Sequence, residues 1–309
     1  MRIAIIDTGT NTFHLLIVEK AEIGFKKIFK IKESVKLGEG GITENIISEK
    51  PFLRGINAFK KFKRFCDTHQ VKKIIATGTA ALRMAHNASD FLAAVKKETG
   101  IEIEIISGDE EAHLIWNGVR HALNMGLNKS IIIDIGGGSV EFIIANEAEV
   151  FWKQSFNIGA ALLIEKLKPE DPITAVDIDA VESYLEATLQ VLFRACKKFL
   201  PHSIIGSSGS FDTFAELIVY QFYSFDLLRD KTTYTLKLED YLTVHHQLIN
   251  STLEQRLLMK GMLPMRADMI VMASVMLNYF VNKLAITEMK LSTYALKEGM
   301  TYKYYESIS

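Results

Sequence analysis

Residues 134–141, Asp-Ile-Gly-Gly-Gly-Ser-Val-Glu, put two carboxylates on either side of a run of nearly bare backbone. Glycines let a chain approach a ligand closely and turn its N–H groups toward an anion. Asp134 and Glu141 offer the hard oxygen ligands that suit a cation such as Mg²⁺. Together they describe a phosphate held by backbone with a metal beside it. Taken alone, the stretch reads equally well as a Gly-rich hairpin with solvated acids. Asp7-Thr-Gly-Thr-Asn-Thr12 has the same outline, an acid followed by small and hydroxyl residues. Arg83 follows Thr77-Gly-Thr-Ala-Ala-Leu, and an arginine just past a strand's C-terminal end can fork onto a phosphate. In Ser107-Gly-Asp-Glu-Glu-Ala112, acids in a first helical turn favour the helix dipole, and one glutamate is a candidate general base.

These residues need a scaffold of strands ending at loops. Ile131 to Ile133 lack alternation and read as a strand buried on both faces, leading through the glycines into a second apolar run. Ile3 to Ile6 and Phe13 to Val18 repeat that plan. Two copies of strand, acid, small loop and strand, each opening one half of the chain, point to duplicated domains facing a shared cleft. Gly24 to Lys36 is a basic strand whose lysines read first as a solvated face. Helices are expected over 51–68, 88–99, 177–200, 211–220, 239–250, 264–284 and from Tyr294 to about Tyr305. Strands are expected at 74–77, 101–106, 149–156 and 286–292. Ser203-Ile-Ile-Gly-Ser-Ser-Gly-Ser210 is a strand with a third small-residue loop opening a helix. The expected division is 1–124 and 125–293, with the C-terminal helix of about 294–309 packing back on the first part.

The chain has 309 residues, enough for two domains, and is 48% hydrophobic with a net charge of −1. A charge that small excludes a general basic field, so polyanion binding must come from local patches and nucleic acid is not expected as a partner. Cys66 and Cys196, the two cysteines, lie too far apart to read as a disulfide scaffold or thiolate metal site, so a cytoplasmic setting is expected. His245-His246 has no partner at ligand spacing. Met269 to Leu284 is interrupted by Asn278, Asn282 and Lys283 and reads as a buried helix, not a membrane span. The N-terminus lacks the apolar core of a signal peptide.

In order, the motifs at Asp7–Thr12, Thr77–Arg83, Ser107–Ala112, Asp134–Glu141 and Gly206–Gly209 resemble the exopolyphosphatase/guanosine pentaphosphate phosphatase family. Pro264-Met-Arg-Ala-Asp268 and Leu296-Lys-Glu-Gly299 extend the resemblance to about residue 300. It implies an α/β fold of two ribonuclease-H-like domains around a central cleft, as in the actin, sugar kinase and heat-shock-70 superfamily. By position, Gly9, Thr10 and Asn11 match the family's first phosphate loop, and Gly136, Gly137, Gly138 and Ser139 its second. Arg83 matches an arginine lining the phosphate site. Asp134 and Glu141 match residues associated with the metal, with Asp7 a further candidate. Glu111 matches the catalytic base, with Glu110 as the fallback. The first loop has Thr8 and Thr10 where Ile and Ser are usual, and the third lacks the usual Gly-Gly-Thr. Longer members carry a further helical domain, so the resemblance is to a short form.

The activity implied is exopolyphosphatase, a Mg²⁺-dependent (or other divalent-dependent) hydrolysis of the terminal phosphoanhydride of polyphosphate. The alternative is hydrolysis of pppGpp at the same site, and more remotely a small-molecule kinase of the superfamily. Dimers are common in the family, but no homodimer interface can be recognised in the residues.

Overall fold

The computed structural model describes residues 1–22 and 24–308, and the chain divides into two compact units. Unit 1 comprises Met1–Gly118 and Leu296–Ser309, and unit 2 comprises Val119–Ala295.

Unit 1 opens with β1 (Arg2–Thr8), β2 (Thr12–Lys20) and β3 (Phe25–Ser34), a meander of antiparallel strands. Helix α1 (Glu49–Thr68) then crosses to β4 (Lys73–Gly78), which pairs parallel to β1. The short α2 (Ala80–Met84) and α3 (Ala88–Thr99) lead to β5 (Ile103–Ile105), and α4 (Gly108–Ala122) follows. The sheet order is β3-β2-β1-β4-β5. β-Branched residues dominate β1, and Ile3, Ile5 and Ile6 are fully buried, as expected for a central strand covered on both faces. On one face Phe13, Phe59 and Phe91 meet edge to face at centroid separations of 5.6–6.5 Å. Each such pair adds about 0.5–1.5 kcal/mol beyond area burial. Gly55 admits this packing, because a Cβ there would lie 2.7 Å from the Phe91 ring.

Unit 2 repeats the plan. β6 (Ser130–Ile135), β7 (Val140–Ala145) and β8 (Val150–Phe156) form the meander. Every residue of β6 and β7 is buried. Helices α5 (Ala160–Leu167), α6 (Ala175–Thr188) and α7 (Gln190–Phe199) precede β9 (Ser203–Ser207), parallel to β6. Then come α8 (Ser208–Phe222), β10 (Thr233–Leu236), α9 (Leu238–Ile249), α10 (Leu253–Leu257), α11 (Ile270–Leu284) and β11 (Glu288–Ser292). The order β10-β11-β9-β6-β7-β8 reproduces that of unit 1 with one strand added. The last helix, α12 (Leu296–Ser307), returns to unit 1 and packs on β1 and β2. Its Gly299 lets it approach α4 so closely that a Cβ would fall 1.8 Å from the Leu114 carbonyl.

Two expected helices are each broken. The span 177–200 divides at Leu189 (φ −100°, ψ 17°), a fully buried residue between α6 and α7. Apolar periodicity continues through the break, so no pattern marks it. The span 264–284 is a single 3-10 turn, Pro264–Arg266, followed by α11 from Ile270. The contact boundary between units falls inside α4, at Gly118/Val119, ahead of the loop at 124–129.

Candidate active site

In unit 1 the β1–β2 turn is too tight for a side chain at Gly9, where a Cβ would meet the Thr12 carbonyl at 2.9 Å. The loop is anchored from outside. The Thr10 carbonyl accepts from Gly38 N–H (3.1 Å), and the Asn11 carbonyl accepts from Val35 (3.0 Å) and Lys36 (2.8 Å). Arg83 stands on α2, where its Nη1 donates to the Ile106 carbonyl (3.1 Å) and to Glu111 Oε2 (3.0 Å). Its Nη2 is buried without a hydrogen-bond partner, a donor whose desolvation is uncompensated. Glu111 lies in the first turn of α4 and is 7% exposed. Its neighbour Glu110 turns outward to an ion pair with Lys303 of α12 (2.8 Å). The two glutamates, adjacent in sequence, therefore occupy different environments, and of the two it is Glu111 that pairs with Arg83.

In unit 2 Asp134 and Glu141 face each other directly across the β6–β7 ladder. The row extends further, with Ser155 of β8 opposite Glu141 and Ser207 of β9 opposite Asp134. Paired residues share a face, so Ser155, Glu141, Asp134 and Ser207 form one line. Ser207 Oγ donates to Asp134 Oδ2 at 2.8 Å. Ser139 and Ser155 both donate to Glu141 Oε1, at 2.6 and 2.7 Å. Both acids are buried, at 7% and 2% exposure. The glycine loop is held from behind by the start of α5. Carbonyls of Gly136, Gly137 and Gly138 accept from Ala160 (2.9 Å), Leu162 (3.1 Å) and Gly159 (3.1 Å). In a trans peptide the N–H points opposite the carbonyl, so the N–H groups of Gly137, Gly138 and Ser139 turn the other way. Gly159 is obligatory, since its Cβ would lie 2.3 Å from the Gly137 carbonyl carbon.

The third loop has a supporting role. Ser208 and Ser210 donate to the Ile135 carbonyl at 3.3 and 3.1 Å, and Ser207 holds Asp134. Ser208 adopts φ +76°, in the left-handed region that costs a side-chain-bearing residue. Gly209 makes room for Arg266, whose Nη2 would stand 2.0 Å from a Cβ at that position. Burial lowers the Arg266 pKa from the ordinary arginine value, while Asp212, Asp134 and Asp268 raise it. Ser155, Ser207 and Arg266 are thus site residues that the sequence pattern alone did not single out. Only strand register brings the two serines onto the acid row.

The donor set fits a hard cation. Two carboxylates lie side by side, and among the described residues no group of three or more His, Cys, Asp or Glu gathers for a transition metal. Such a pair leaves most positions to water and phosphate oxygens, the manner in which proteins hold Mg²⁺. Asp134 and Glu141 would be its protein ligands. In unit 1, Asp7 has Thr77 and His14 as its immediate row neighbours. The cysteines stand apart from this chemistry. Both are buried, and burial pushes each thiol up to about 12, so neither offers a thiolate at neutral pH. Among the described residues no helix is long and apolar enough to cross a membrane.

Comparison with known proteins gives one answer. The Ppx/GppA phosphatase family matches over residues 16–307. A guanosine-5'-triphosphate,3'-diphosphate pyrophosphatase from Photobacterium profundum is 30% identical over 218 residues. That match covers 71% of this chain and 44% of the relative, so the aligned part is less than half of that curated protein. The crystal structure of an exopolyphosphatase from Cytophaga hutchinsonii ATCC 33406 superposes with a TM-score of 0.97 at 39% identity, covering 100% of this chain and 99% of that one. A Ppx/GppA family member from Aquifex aeolicus shares the fold at 23% identity and a TM-score of 0.80, with 100% and 99% covered. With two mixed sheets of one topology and an actin-like fold, the chain belongs to the Ppx/GppA phosphatase family.

Proposed function

We propose that this chain is an exopolyphosphatase, hydrolysing the terminal phosphoanhydride of inorganic polyphosphate and releasing orthophosphate. The observation that carries the reading is the partly buried Arg83–Glu111 pair, which sets a partnerless guanidinium N–H beside a carboxylate. That pair offers a hydrogen-bond donor for phosphate beside a proton acceptor. Similarity to the Cytophaga exopolyphosphatase over the whole chain supports it.

In this reading the N–H groups of Gly137, Gly138 and Ser139, and the loop Gly9, Thr10 and Asn11, hold phosphate oxygens. Arg83 adds a charge-assisted donor. Asp134 and Glu141 would hold a divalent cation such as Mg²⁺, which would neutralise charge at the phosphates when bound. Glu111 orients the attacking water and accepts its proton. The water oxygen forms a bond to the terminal phosphorus as the bridging P–O bond breaks, leaving the chain one unit shorter. Phosphoryl transfer of this kind depends mostly on positioning and electrostatics. Cytoplasmic work suits two free, buried cysteines, and light scattering would test for a homodimer.

The second reading, hydrolysis of pppGpp, is favoured by the Photobacterium relative. The test is phosphate release from polyphosphate chains of several lengths and from pppGpp, with and without Mg²⁺. Metal-dependent release from polyphosphate is expected. Release from pppGpp alone would overturn the first reading in favour of the second.

A further inference from the structure

The segment 35–39, which follows β3, is neither helix nor strand. Arg54 of α1 holds it. Arg54 Nε donates to the Val35 carbonyl at 2.7 Å, and Nη2 donates to the Lys36 carbonyl at 3.2 Å and to Glu39 Oε2. On its other side the same segment anchors the first loop. Val35 and Lys36 N–H donate to the Asn11 carbonyl at 3.0 and 2.8 Å, and Gly38 N–H donates to the Thr10 carbonyl at 3.1 Å.

One peptide unit joins the two sides. The Val35 carbonyl accepts from Arg54, while the N–H of that unit, on Lys36, donates to Asn11. In a trans peptide these groups point in opposite directions. Hydrogen bonds in a chain polarise one another, so the guanidinium charge strengthens the bond on the far side. The Thr10 carbonyl, fixed toward Gly38, likewise turns the Asn11 N–H away from the segment. Two features mark the segment as constrained. Lys36 adopts φ +49°, a left-handed conformation that persists in a side-chain-bearing residue only where its surroundings over-determine it. Gly38 approaches the loop so closely that a Cβ would lie 2.8 Å from Thr10 Cγ2.

Unit 2 holds its glycine loop without an arginine. There Gly159, Ala160 and Leu162 at the start of α5 donate to the loop carbonyls, and α5 follows β8 as this segment follows β3. A helix is kept in shape by its own hydrogen-bond ladder. Segment 35–39 has no such ladder and takes its support from Arg54.

We propose that Arg54 is a positioning residue for the first phosphate loop, clamping segment 35–39 so that the Asn11 N–H stays aimed at a phosphate oxygen. The proposal rests on the exopolyphosphatase reading, which assigns phosphate to Gly9, Thr10 and Asn11. It adds a residue that acts through the backbone and not by touching substrate.

The test is Arg54→Met, which keeps most of the side chain's length and removes its donors. Binding of inorganic phosphate, followed by calorimetry, should weaken roughly tenfold, since a loop that must be ordered on binding gives up affinity. Its kcat/KM on tripolyphosphate should fall roughly 10–10²-fold, as for a misplaced substrate contact. Its Mg²⁺ midpoint should stay within about twofold, since the proposed cation ligands lie in unit 2. Lys61→Gln removes a different tie from α1 to β3, the ion pair with Glu33, and should leave phosphate binding within about twofold. Arg54→Lys keeps the charge but cannot fork onto two carbonyls, so its phosphate affinity should lie between wild type and Arg54→Met. Wild-type phosphate affinity in Arg54→Met, or in Arg54→Lys should the methionine variant not fold, overturns the clamp. An equal loss in Lys61→Gln overturns it too, leaving Arg54 as one tie of α1 among others. If the wild type releases no phosphate from polyphosphate while Arg54→Met still weakens phosphate binding, the clamp stands and the exopolyphosphatase reading fails. Release at one rate by both proteins, with equal phosphate affinity, has the opposite meaning.

Discussion

The two units share one strand order, with a strand added in unit 2, and differ in the row at the end of their first strands. In unit 2 the line across the sheet reads Ser155–Glu141–Asp134–Ser207. In unit 1 the equivalent line reads Lys32–His14–Asp7–Thr77. The same strands at the same level thus present two carboxylates fixed by hydroxyls in one unit, and one carboxylate between a histidine and a threonine in the other. In the proposed function unit 2 would hold the cation, and unit 1, with Arg83 added from α2, would supply the anion contact and the base. Both units carry an acid near the end of the first strand and differ in what faces it.

The sharpest break in this comparison is at Glu111. Glu111→Gln keeps the shape and hydrogen-bonding reach of the side chain and removes its ability to take a proton. Turnover on polyphosphate should fall roughly 10²–10⁴-fold, as for loss of a general base, with phosphate binding nearly intact by calorimetry. Wild-type turnover in this variant would remove the base from unit 1. Glu110→Gln should stay close to wild type, since its partner is the exposed Lys303.

The next effect concerns the acid row itself. Ser155→Ala removes one of the two hydroxyls holding Glu141 Oε1. Outer hydrogen bonds to a metal ligand are worth about tenfold or more in metal affinity. The Mg²⁺ midpoint of activity should rise by that factor, and Mg²⁺ binding followed by calorimetry should weaken in parallel. A variant that binds Mg²⁺ normally would show that Glu141 is oriented without Ser155.

A pH effect distinguishes the units by stability. His245 in α9 of unit 2 packs on Tyr241 and shares a hydrogen bond with Ser274 Oγ at 2.8 Å. Burial, with His246 nearby, lowers its pKa to about 4. The unfolded chain binds this proton near pH 6.5, and the folded one does not until about 4. The unfolded state therefore holds more protons between these values, and stability falls as pH drops through that window. Thermal melts at pH 7, 5.5 and 4 should show unit 2 losing stability. A His245→Gln variant should lose less on acidification, and an equal slope in both would assign the effect elsewhere.

The smallest effect is at the third loop. Ser208→Gly relieves the left-handed backbone at φ +76° and gives up a 3.3 Å hydrogen bond to the Ile135 carbonyl. A net gain below ~1 kcal/mol in denaturant unfolding is expected. A loss would mean that the hydroxyl contributes more than the strain costs.

How much of this was legible in the sequence depended on distance along the chain. Asp134, the glycines and Glu141 are neighbours in sequence, so their hairpin could be read from local pattern. Ser155 and Ser207 join the row through strand register, which no local pattern encodes. Arg266 enters because Gly209 leaves it room, a packing fact between segments far apart in the chain. Glu110 and Glu111 could not be separated from sequence, because what separates them is Lys303, 193 residues from Glu110. Doubling of the strand–acid–loop–strand unit was legible because each copy is short. The break at Leu189 was not, because a buried leucine fits the helical periodicity on both sides of it.

The division of labour between the units is tested most directly by Mg²⁺ titrations of phosphate release from polyphosphate, comparing Glu111→Gln with Glu141→Gln. Glu111→Gln should lose turnover at every Mg²⁺ concentration with an unshifted midpoint. Glu141→Gln should shift the midpoint upward and recover turnover as Mg²⁺ rises. A shifted midpoint in Glu111→Gln, or an unshifted one in Glu141→Gln, would contradict the assignment of the cation to unit 2 and the base to unit 1.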